Sequence, residues 1–520
     1  MHSTSPRLPL SPLPLVLRSA VLASLLAAST AGAVDYFWDA DGNGTYGGSG
    51  SWNRLSESWW VSSGAGSALS TWGFGTHSGD TAVFSGGAGQ YVVTAAGWNF
   101  LFGPINVGNL RFSSADYTLS GTSLVLSGSG NVSTITVDAP RATISSVLEG
   151  STSAAGLTKA GAGTLTLSGN NTYLGATTVT AGTLNVNGTL ASTAINIGGG
   201  TLALGANERL ADTSAVTVSG GTLAIGNYTE TVGVVKLTSG SITGGPTGRL
   251  TGSTYDLQSG TVSARLGGGT GVALTKSTTG TVILSGLNSY TGATTITGGT
   301  LAVNGALYSG VTPPLQATTV GAAGTLAGTG TVNGTVAVYG ELAPGGFDLN
   351  GTASIGTLTT GSQTWYDGAS YAWQVNNTLG AAGTAYDTLV IDGSLNLSNL
   401  SEKGFTLEVL GLAGTLAGTI ANFDGTWSPT QYKSYTWTLL TASDGITGFD
   451  ADYFRVDTTN FANAFDPTHG NFFVGIAGGD SLTLTYESVP EPATYAALLG
   501  AATLGFVGVR RWRQRRAAKA

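Results

Sequence analysis

Apolar and polar residues alternate along most of the chain, in short runs that are separated by glycine. In the stretch that begins with the Gly-Thr-Leu triplet at 163–165, the apolar residues are Leu165 and Leu167. The same spacing returns at Leu184 and Val186. A period of two residues is typical of β-strands with one buried face. Glycine supplies the bend between such strands, so the pattern predicts many short strands joined by tight turns.

The strand pattern recurs about every 20 residues, which is the length of one coil of a parallel β-helix. The coils of such a fold stabilise one another, because no coil can bury its apolar face alone. Between Ile105 and Pro344 there is room for about 12 coils at ~4.8 Å spacing. An array of β-sandwich domains would need charged or proline-rich linkers, and 106–344 has none. The repeating Gly-Thr-Leu glycines, with variants, are Gly163, Gly182, Gly200, Gly221, Gly240, Gly260, Gly280, Gly299 and Gly324.

We therefore predict an all-β fold: a right-handed parallel β-helix with β-rich caps and a C-terminal transmembrane helix. Six tryptophans between Asp35 and Trp98 favour a packed N-terminal cap, although a sugar-binding face is the alternative. The predicted units are a signal peptide (1–33), an N-terminal cap (34–104), the β-helix (105–345), the last coils with a C-terminal cap (346–488), and a sorting segment (489–520).

Composition narrows the classes of protein that fit. The 520 residues include 82 glycines and no cysteine, which excludes disulfides and thiol-ligated metals. Between Asp35 and Glu491 the 28 acidic residues outnumber the basic ones by 16. An acidic body without a basic stripe argues against nucleic-acid binding.

The N-terminus has the three parts of a secretory signal peptide. Arg7 and Arg18 precede an apolar stretch at 20–28, and Ala31 and Ala33 occupy the −3 and −1 positions of a cleavage site. We expect cleavage after Ala33, so that the mature chain begins outside the cytoplasm at Val34.

The C-terminus combines a proline motif, an apolar stretch and a basic cluster. Pro490, Glu491 and Pro492 precede 17 uncharged residues at 493–509. As a helix this stretch would be about 25 Å long, close to the thickness of a bilayer core. Basic residues beside a membrane span resist translocation, so the body should lie outside the cytoplasm. The basic residues are Arg510, Arg511, Arg513, Arg515 and Arg516.

This combination resembles the PEP-CTERM sorting signal. The resemblance implies recognition and removal of the tail by an exosortase, an integral-membrane transpeptidase. It also implies a Gram-negative-type bacterium, with the inner membrane as a stage in transit and the cell surface or extracellular matrix as the destination.

Two segments of the chain are close copies. Residues 157–190 read LTKAGAGTLTLSGNNTYLGATTVTAGTLNVNGTL, and residues 274–307 read LTKSTTGTVILSGLNSYTGATTITGGTLAVNGAL. Their common form resembles the autotransporter-associated β-strand repeat. The resemblance implies the β-helical passenger architecture of bacterial surface proteins.

One short motif suggests a metal site. Asp39, Asp41 and Asn43 match the first ligand positions of a calcium loop, but the twelfth position, which should be Glu, is Gly50. An Asp-Gly turn after the first strand is the simpler interpretation. We therefore expect no metal and no other cofactor.

Charged residues in the repeats recur at coil spacing and alternate in sign. Stacked coils would turn them into ion-pair ladders, although a single carboxylate between two bases could be catalytic. We predict a non-enzymatic adhesive or structural surface protein with polysaccharide as a possible partner. The alternative is a polysaccharide lyase or hydrolase on the same scaffold. The charged residues that recur at coil spacing form two sets: Lys236, Asp256 and Lys276, and Arg209, Glu230 and Arg249.

Overall fold

A computed structural model describes residues 33–488, except for the short gaps given at the end of this paragraph. The described residues form strands and two short 3-10 turns, Ser129–Asn131 and Ala451–Tyr453. None of their helices is long and apolar enough to cross a membrane. The predicted transmembrane helix at 493–509 lies outside the described residues. The gaps are 42–44, 54–57, 64–65, 71, 73–76, 97–103, 311–316, 348, 350–352, 414–415, 427 and 429–430.

The strands are short, as the glycine spacing predicts. The first group is β1 (Asp35–Trp38), β2 (Gly50–Trp52), β3 (Trp59–Ser63), β4 (Gly66–Ser70), β5 (Thr81–Phe84), β6 (Gln90–Ala95), β7 (Ile105–Val107), β8 (Asn109–Phe112), β9 (Asp116–Gly121), β10 (Leu124–Leu126), β11 (Val132–Val137), β12 (Arg141–Ile144) and β13 (Leu148–Gly150). The second group is β14 (Gly156–Ala160), β15 (Thr164–Leu167), β16 (Asn170–Asn171), β17 (Thr177–Val179), β18 (Thr183–Val186), β19 (Thr189–Leu190), β20 (Ala194–Ile197), β21 (Thr201–Leu204), β22 (Ala215–Gly226), β23 (Thr229–Thr231), β24 (Val234–Gly244), β25 (Arg249–Thr251) and β26 (Thr254–Leu257).

The remaining strands complete the body and its C-terminal end. The third group is β27 (Gly260–Val262), β28 (Arg265–Gly267), β29 (Leu274–Lys276), β30 (Thr281–Leu284), β31 (Thr294–Ile296), β32 (Gly299–Val303), β33 (Ala306–Leu307), β34 (Thr318–Val320), β35 (Gly324–Gly328), β36 (Thr331–Val332), β37 (Val336–Val338) and β38 (Glu341–Pro344). The last group is β39 (Gly346–Phe347), β40 (Ala353–Ser354), β41 (Thr357–Trp365), β42 (Ser370–Val375), β43 (Thr388–Asn396), β44 (Phe405–Ala413), β45 (Leu416–Ala417), β46 (Ser434–Ala442), β47 (Ile446–Thr447), β48 (Phe454–Asp457), β49 (Gly470–Ala477) and β50 (Ser481–Ser488).

Parallel pairing stacks these strands into three ladders, and each coil contributes to them in turn. The first ladder runs β1, β5, β8, β11, β14, β17, β20, β22, β24, β26, β29, β31, β34, β37, β41, β43, β47. The second runs β2, β6, β9, β12, β15, β18, β21, β22, β24, β27, β30, β32, β35, β38, β42, β44, β48. The third is shorter-stranded and interrupted, with segments β7–β10–β13, β16–β19, β23–β25–β28 and β33–β36–β41–β43–β46.

The all-β architecture and its long parallel sheet agree with the predicted solenoid, while the hand of the coil stays a prediction. Between 105 and 345 the first ladder has twelve strands, β8 to β37, as the coil spacing predicts. Inward positions such as Ile195, Ile197, Val216 and Val218 are at most 1% exposed. Burying each such side chain stabilises the fold by roughly 1.5–3 kcal/mol relative to exposure.

The N-terminal end is closed by antiparallel strands and tryptophans. β3 pairs with β1 and β4 pairs with β3, both antiparallel. Trp38, Trp52, Trp59 and Trp72 are fully buried, with neighbouring ring centroids 5.1–5.4 Å apart. The packing interpretation is confirmed for these four rings, because a buried ring cannot offer its face to a sugar.

The C-terminal end is closed by the antiparallel set β46–β50–β49 over an aromatic cluster. The cluster contains Phe461, Phe465, Phe472 and Tyr486, with ring centroids 5.0–6.2 Å apart. Parallel stacking begins at β1 with β5 and ends at β44 with β48, so coils extend on both sides of 105–345. The domain boundaries stay predictions.

Candidate adhesive surface

The outer side of the first ladder carries a long row of residues, most of which are threonines. Because side chains alternate along a strand, the residues that flank the buried positions must point outward. In-register pairing places them one above another at ~4.8 Å. The row is Thr134, Thr158, Thr178, Asn196, Thr217, Lys236, Asp256, Thr275, Thr295, Thr319, Ala337 and Thr364.

A second outward row follows two residues further along the same strands. It is half-buried to exposed, and some of its hydroxyls donate to a carbonyl oxygen of the preceding coil. Thr180 donates to Lys159 at 3.0 Å, and Thr238 donates to Val218 at 3.2 Å. The two rows form one face with few charges, which we name the hydroxyl face. The hydroxyl-bearing members of the second row are Thr136, Thr180, Ser219, Thr238, Ser277 and Thr297.

Two tyrosines continue the second row toward the C-terminus. Tyr339 follows β37 and Tyr366 follows β41, and their rings stack with centroids 4.1 Å apart and planes at 13°. Tyr339 is 38% exposed. The coil before it places Gly321 at the equivalent position, so no side chain covers the outer ring face from that coil. The hydroxyl face therefore includes an exposed aromatic platform toward its C-terminal end.

The second ladder carries a shorter row of the same kind. Its in-register members are Thr164, Thr183, Thr201, Thr222, Ser241 and Thr261. From the next coil onward the row becomes apolar, with Ile283, Ala302, Ala327 and Ala343, and these alanines are buried. Two residues earlier on the same strands, half-buried polar residues stack in register, so the second ladder keeps a polar row after a shift of two residues. These residues are Thr281, Thr300, Thr325, Glu341 and Ser370.

The first predicted ion-pair ladder forms only in part. Lys236 and Asp256 pair in register, and Nζ lies 3.4 Å from Oδ2. Asp256 then faces Thr275, and Lys276 points inward and is fully buried. The prediction was wrong for Lys276, because the coil between them advances the register by 19 residues instead of 20. A shift of one residue moves a side chain to the opposite face of a strand.

The second predicted ladder does not form. Thr229 stands opposite Arg249, so Glu230 points inward and is fully buried. Its carboxylate accepts the main-chain N–H groups of Arg209 and Leu210, each at 2.8 Å. Burial raises the pKa of Glu230 to about 7. A carboxylate enclosed in this way binds main-chain N–H groups and is not accessible to a substrate.

A buried lysine inside each repeat was not expected from the sequence. Nζ of Lys159 donates to the carbonyl oxygens of Ala160 and Gly161 at 2.8 Å, and of Ala181 at 3.1 Å. Burial lowers its pKa to about 8, against a smaller opposing effect of Asp138. The equivalent Lys276 also donates to two carbonyl oxygens, and burial again lowers its pKa to about 8.

A buried asparagine of each repeat was missed as well. Oδ1 of Asn171 accepts the N–H of Leu148 at 3.0 Å, and Nδ2 donates to Gly169 at 2.8 Å and to Thr189 at 3.1 Å. Asn288 makes the same three bonds in the second copy. The signal that could have identified them is a polar residue at an inward position of the alternating pattern: Lys159 lies two residues after Leu157, and Asn171 lies two residues before Tyr173.

The calcium candidate is described only in part. Asp39 is fully buried within the N-terminal turn, and the N–H of Ala40 donates to Gly47 at 3.0 Å. Asn43 lies outside the described residues. In the described parts of 33–488 no three His, Asp or Glu side chains converge to hold a metal ion. The site stays a hypothesis, and the simple turn remains the alternative.

The processing signals lie at the ends of the chain. Ala33 is exposed at the first described position, whereas Ala31 lies outside the described residues. The Pro490–Pro492 motif and the basic residues 510–516 lie outside them too. Their roles stay predictions from the sequence.

Comparison with known protein families identifies both repeats and the tail. The passenger-associated transport repeat matches residues 157–186 and 274–303. The PEP-CTERM protein-sorting motif matches residues 488–516. These matches confirm both resemblances drawn from the sequence.

A curated relative points the same way. The chain is 38% identical over 173 residues to a protein named adhesin BmaC autotransporter from Brucella suis biovar 1 (strain 1330). The matched stretch is 33% of this chain and 5% of that relative, so the chain spans a small part of the relative's length. The chain carries a PEP-CTERM sorting motif together with two passenger-associated transport repeats, and it is similar in part to an autotransporter adhesin.

Proposed function

We propose that this protein is an exported adhesive β-solenoid of the bacterial surface, and that the hydroxyl face is its contact surface. The observation that carries the proposal is the in-register row from Thr134 to Thr364, which places a threonine hydroxyl in eight of its twelve coils. A relative that is named an adhesin supports the same role.

The route to the surface follows from the tail. The PEP-CTERM motif implies processing by an exosortase, a membrane protein, in a Gram-negative bacterium. Before processing, the apolar segment 493–509 would hold the chain in the inner membrane, with the body outside. The intact mass of the protein recovered from its host tests this route. A mass that ends near Glu491 supports it, and a mass that runs to Ala520 in the inner membrane refutes it.

The ligand class that fits the hydroxyl face is neutral polysaccharide. Hydroxyl groups both donate and accept hydrogen bonds, as sugars do, and the low charge of the face removes any preference for an ionic ligand. The platform of Tyr339 and Tyr366 adds a flat apolar surface with polar edges, on which a sugar ring can pack. Many weak contacts on a rigid repeat would add up through avidity.

Retention of the full exported chain on immobilised neutral glycans tests the ligand class. Thr178→Val and Thr295→Val keep the side-chain shape and remove a hydroxyl from the hydroxyl face, and Tyr339→Ala removes the platform. The matched control is Thr201→Val on the second ladder. Weaker retention for the first three and unchanged retention for the control support the proposal. Equal retention by all variants refutes it, and shortening of the glycan would favour the alternative of a polysaccharide-active enzyme.

A further inference from the structure

The start of the described chain lies against a carboxylate. The main-chain nitrogen of Val34 is 3.0 Å from Oδ1 of Asp80, 46 residues away. The other carboxylate oxygen, Oδ2, is 2.9 Å from Nδ1 of His77. Ala33, on the other side of the peptide bond, is exposed. The bond predicted for signal cleavage is therefore accessible, and its nitrogen is already at Asp80.

We propose that Asp80 is the receptor for the new N-terminus of the mature chain. The proposal rests on the predicted cleavage after Ala33. In that step water adds across the Ala33–Val34 amide, so that Ala33 leaves as a carboxylate and Val34 gains an amino group. An α-amino group has an ordinary pKa of about 7.7–8.0, so it is mostly protonated at neutral pH. Cleavage thus converts the hydrogen bond between Val34 and Asp80 into an ion pair.

The ion pair would anchor the first strand of the first ladder. The N–H of Thr81 donates to the carbonyl oxygen of Val34 at 2.9 Å, and β1 begins at the next residue. A bond between a charged donor and a charged acceptor is roughly twice as strong as a neutral one. The cleaved chain should therefore hold its first coil more firmly than the precursor does.

Asp80 is also connected to the tryptophan cap. The ring of His77 stacks on Trp72 with centroids 4.4 Å apart, and Tyr36 meets His77 edge-on at 5.9 Å. The side chains of His77 and Asp80 are 9% and 20% exposed, so the ion pair is shielded from water on one side. The titratable groups around the new amino group are Asp80, His77, Tyr36 and the exposed Asp35.

A double-mutant cycle on the exported full chain tests the proposal. One partner of the cycle is the N-terminus, which either begins at Val34 or carries an added Gly-Ser in front of it. The other is Asp80 or Asp80→Asn. Hydrogen exchange of the β1 amides is the readout. We expect the extension to accelerate exchange about tenfold in the chain with Asp80, as for loss of a charge-assisted bond, and to have little further effect in Asp80→Asn.

The control variant is Asp116→Asn. In the native chain the Asp116 carboxylate pairs with Arg141 on the second ladder, with Oδ2 2.7 Å from Nε. This variant should leave the effect of the extension unchanged. An extension that accelerates exchange equally with and without Asp80, or not at all, overturns the proposal. If Asp80→Asn does not fold, acetylation of Val34 in the native chain decides, since it replaces the charged amino group with a neutral amide. Faster exchange of the β1 amides after acetylation supports the proposal, and unchanged exchange overturns it. N-terminal sequencing that finds a start other than Val34 overturns the cleavage prediction and leaves the adhesive role untouched.

Discussion

The buried asparagine of the first repeat allows a quantitative test of how the coils are held together. Asn171 is 2% exposed and contacts three successive coils through Leu148, Gly169 and Thr189. In the next coil the equivalent position is Leu190, so leucine fits this interior stack. The substitution Asn171→Leu therefore removes three hydrogen bonds with little change in packing.

The expected cost follows from those three bonds. Each buried main-chain group that loses its partner costs about 1 kcal/mol or more, so Asn171→Leu should destabilise the neighbouring coils by about 3 kcal/mol. At about 1.4 kcal/mol per tenfold, the N–H of Leu148 should exchange roughly a hundredfold faster. The effect should be local, because each coil of a solenoid contacts only its neighbours.

Hydrogen exchange resolved along the chain measures this effect, and urea unfolding followed by circular dichroism supports it. The matched control is Asn170→Ala, one residue earlier on an exposed position, which should change stability by less than about 0.5 kcal/mol. Asn288→Leu should reproduce the loss in the second copy. If Asn171→Leu exchanges as slowly as Asn170→Ala, the reasoning about buried polar side chains is refuted.

Three further predictions concern the interior groups and one turn. Burial lowers the pKa of Lys159 to about 8 from 10.5, so the unfolded chain binds more protons between these values, and the urea midpoint should rise with pH across that window. The rise should be smaller in Lys159→Met, in which Lys276 keeps the same lowered pKa. Burial raises the pKa of Glu230 to about 7 from 4.5, so the folded chain binds more protons in between, and stability should fall as pH rises through that window. Glu230→Gln should reduce the fall, and burial also raises the pKa of Asp387, which accounts for a remaining part. Gly182 and Gly130 have similar φ values, +63° and +65°, but a Cβ at Gly182 would lie 2.4 Å from the carbonyl oxygen of Gly163, whereas a Cβ at Gly130 would meet open space. Thermal unfolding should therefore show a larger loss of stability for Gly182→Ala than for Gly130→Ala. Equal losses of stability would mean that the clash contributes nothing.

The strand period and the coil period were readable from the sequence because they come from burial. Leucine, isoleucine and valine at every second residue are buried together when the segment is a strand with one face in the core. The 20-residue recurrence then places successive strands in successive coils. The buried positions at Leu165, Leu184 and Leu202 were predicted correctly and are fully buried. Four of the six tryptophans near the N-terminus were correctly assigned to packing for the same reason.

Spacing alone did not predict whether a single charged side chain points to the surface or to the core. Coil length varies between neighbouring coils, and one residue more or less turns a side chain from the surface to the core. Lys276 and Glu230 were placed outside because charge is usually exposed, yet both lie in the interior, where main-chain groups satisfy them. The stacked pair of Tyr339 and Tyr366 also depends on register, because the two residues lie 27 positions apart in the chain.

The interior polar groups explain how a surface built from repeats can keep its rows aligned. Apolar coils are nearly interchangeable, so burial alone would tolerate a coil that slips by two residues along its neighbour, because such a slip keeps every side chain on its own face. The slip would carry Asn171 away from Leu148 and Thr189 and leave buried polar groups without partners, at a cost of about 1–3 kcal/mol for each group. Lys159 adds the same constraint on the first ladder, because its Nζ donates to the carbonyl oxygen of Ala181 in the next coil. Because the outer threonines share these strands, the alignment of the hydroxyl face depends on side chains that never reach the surface.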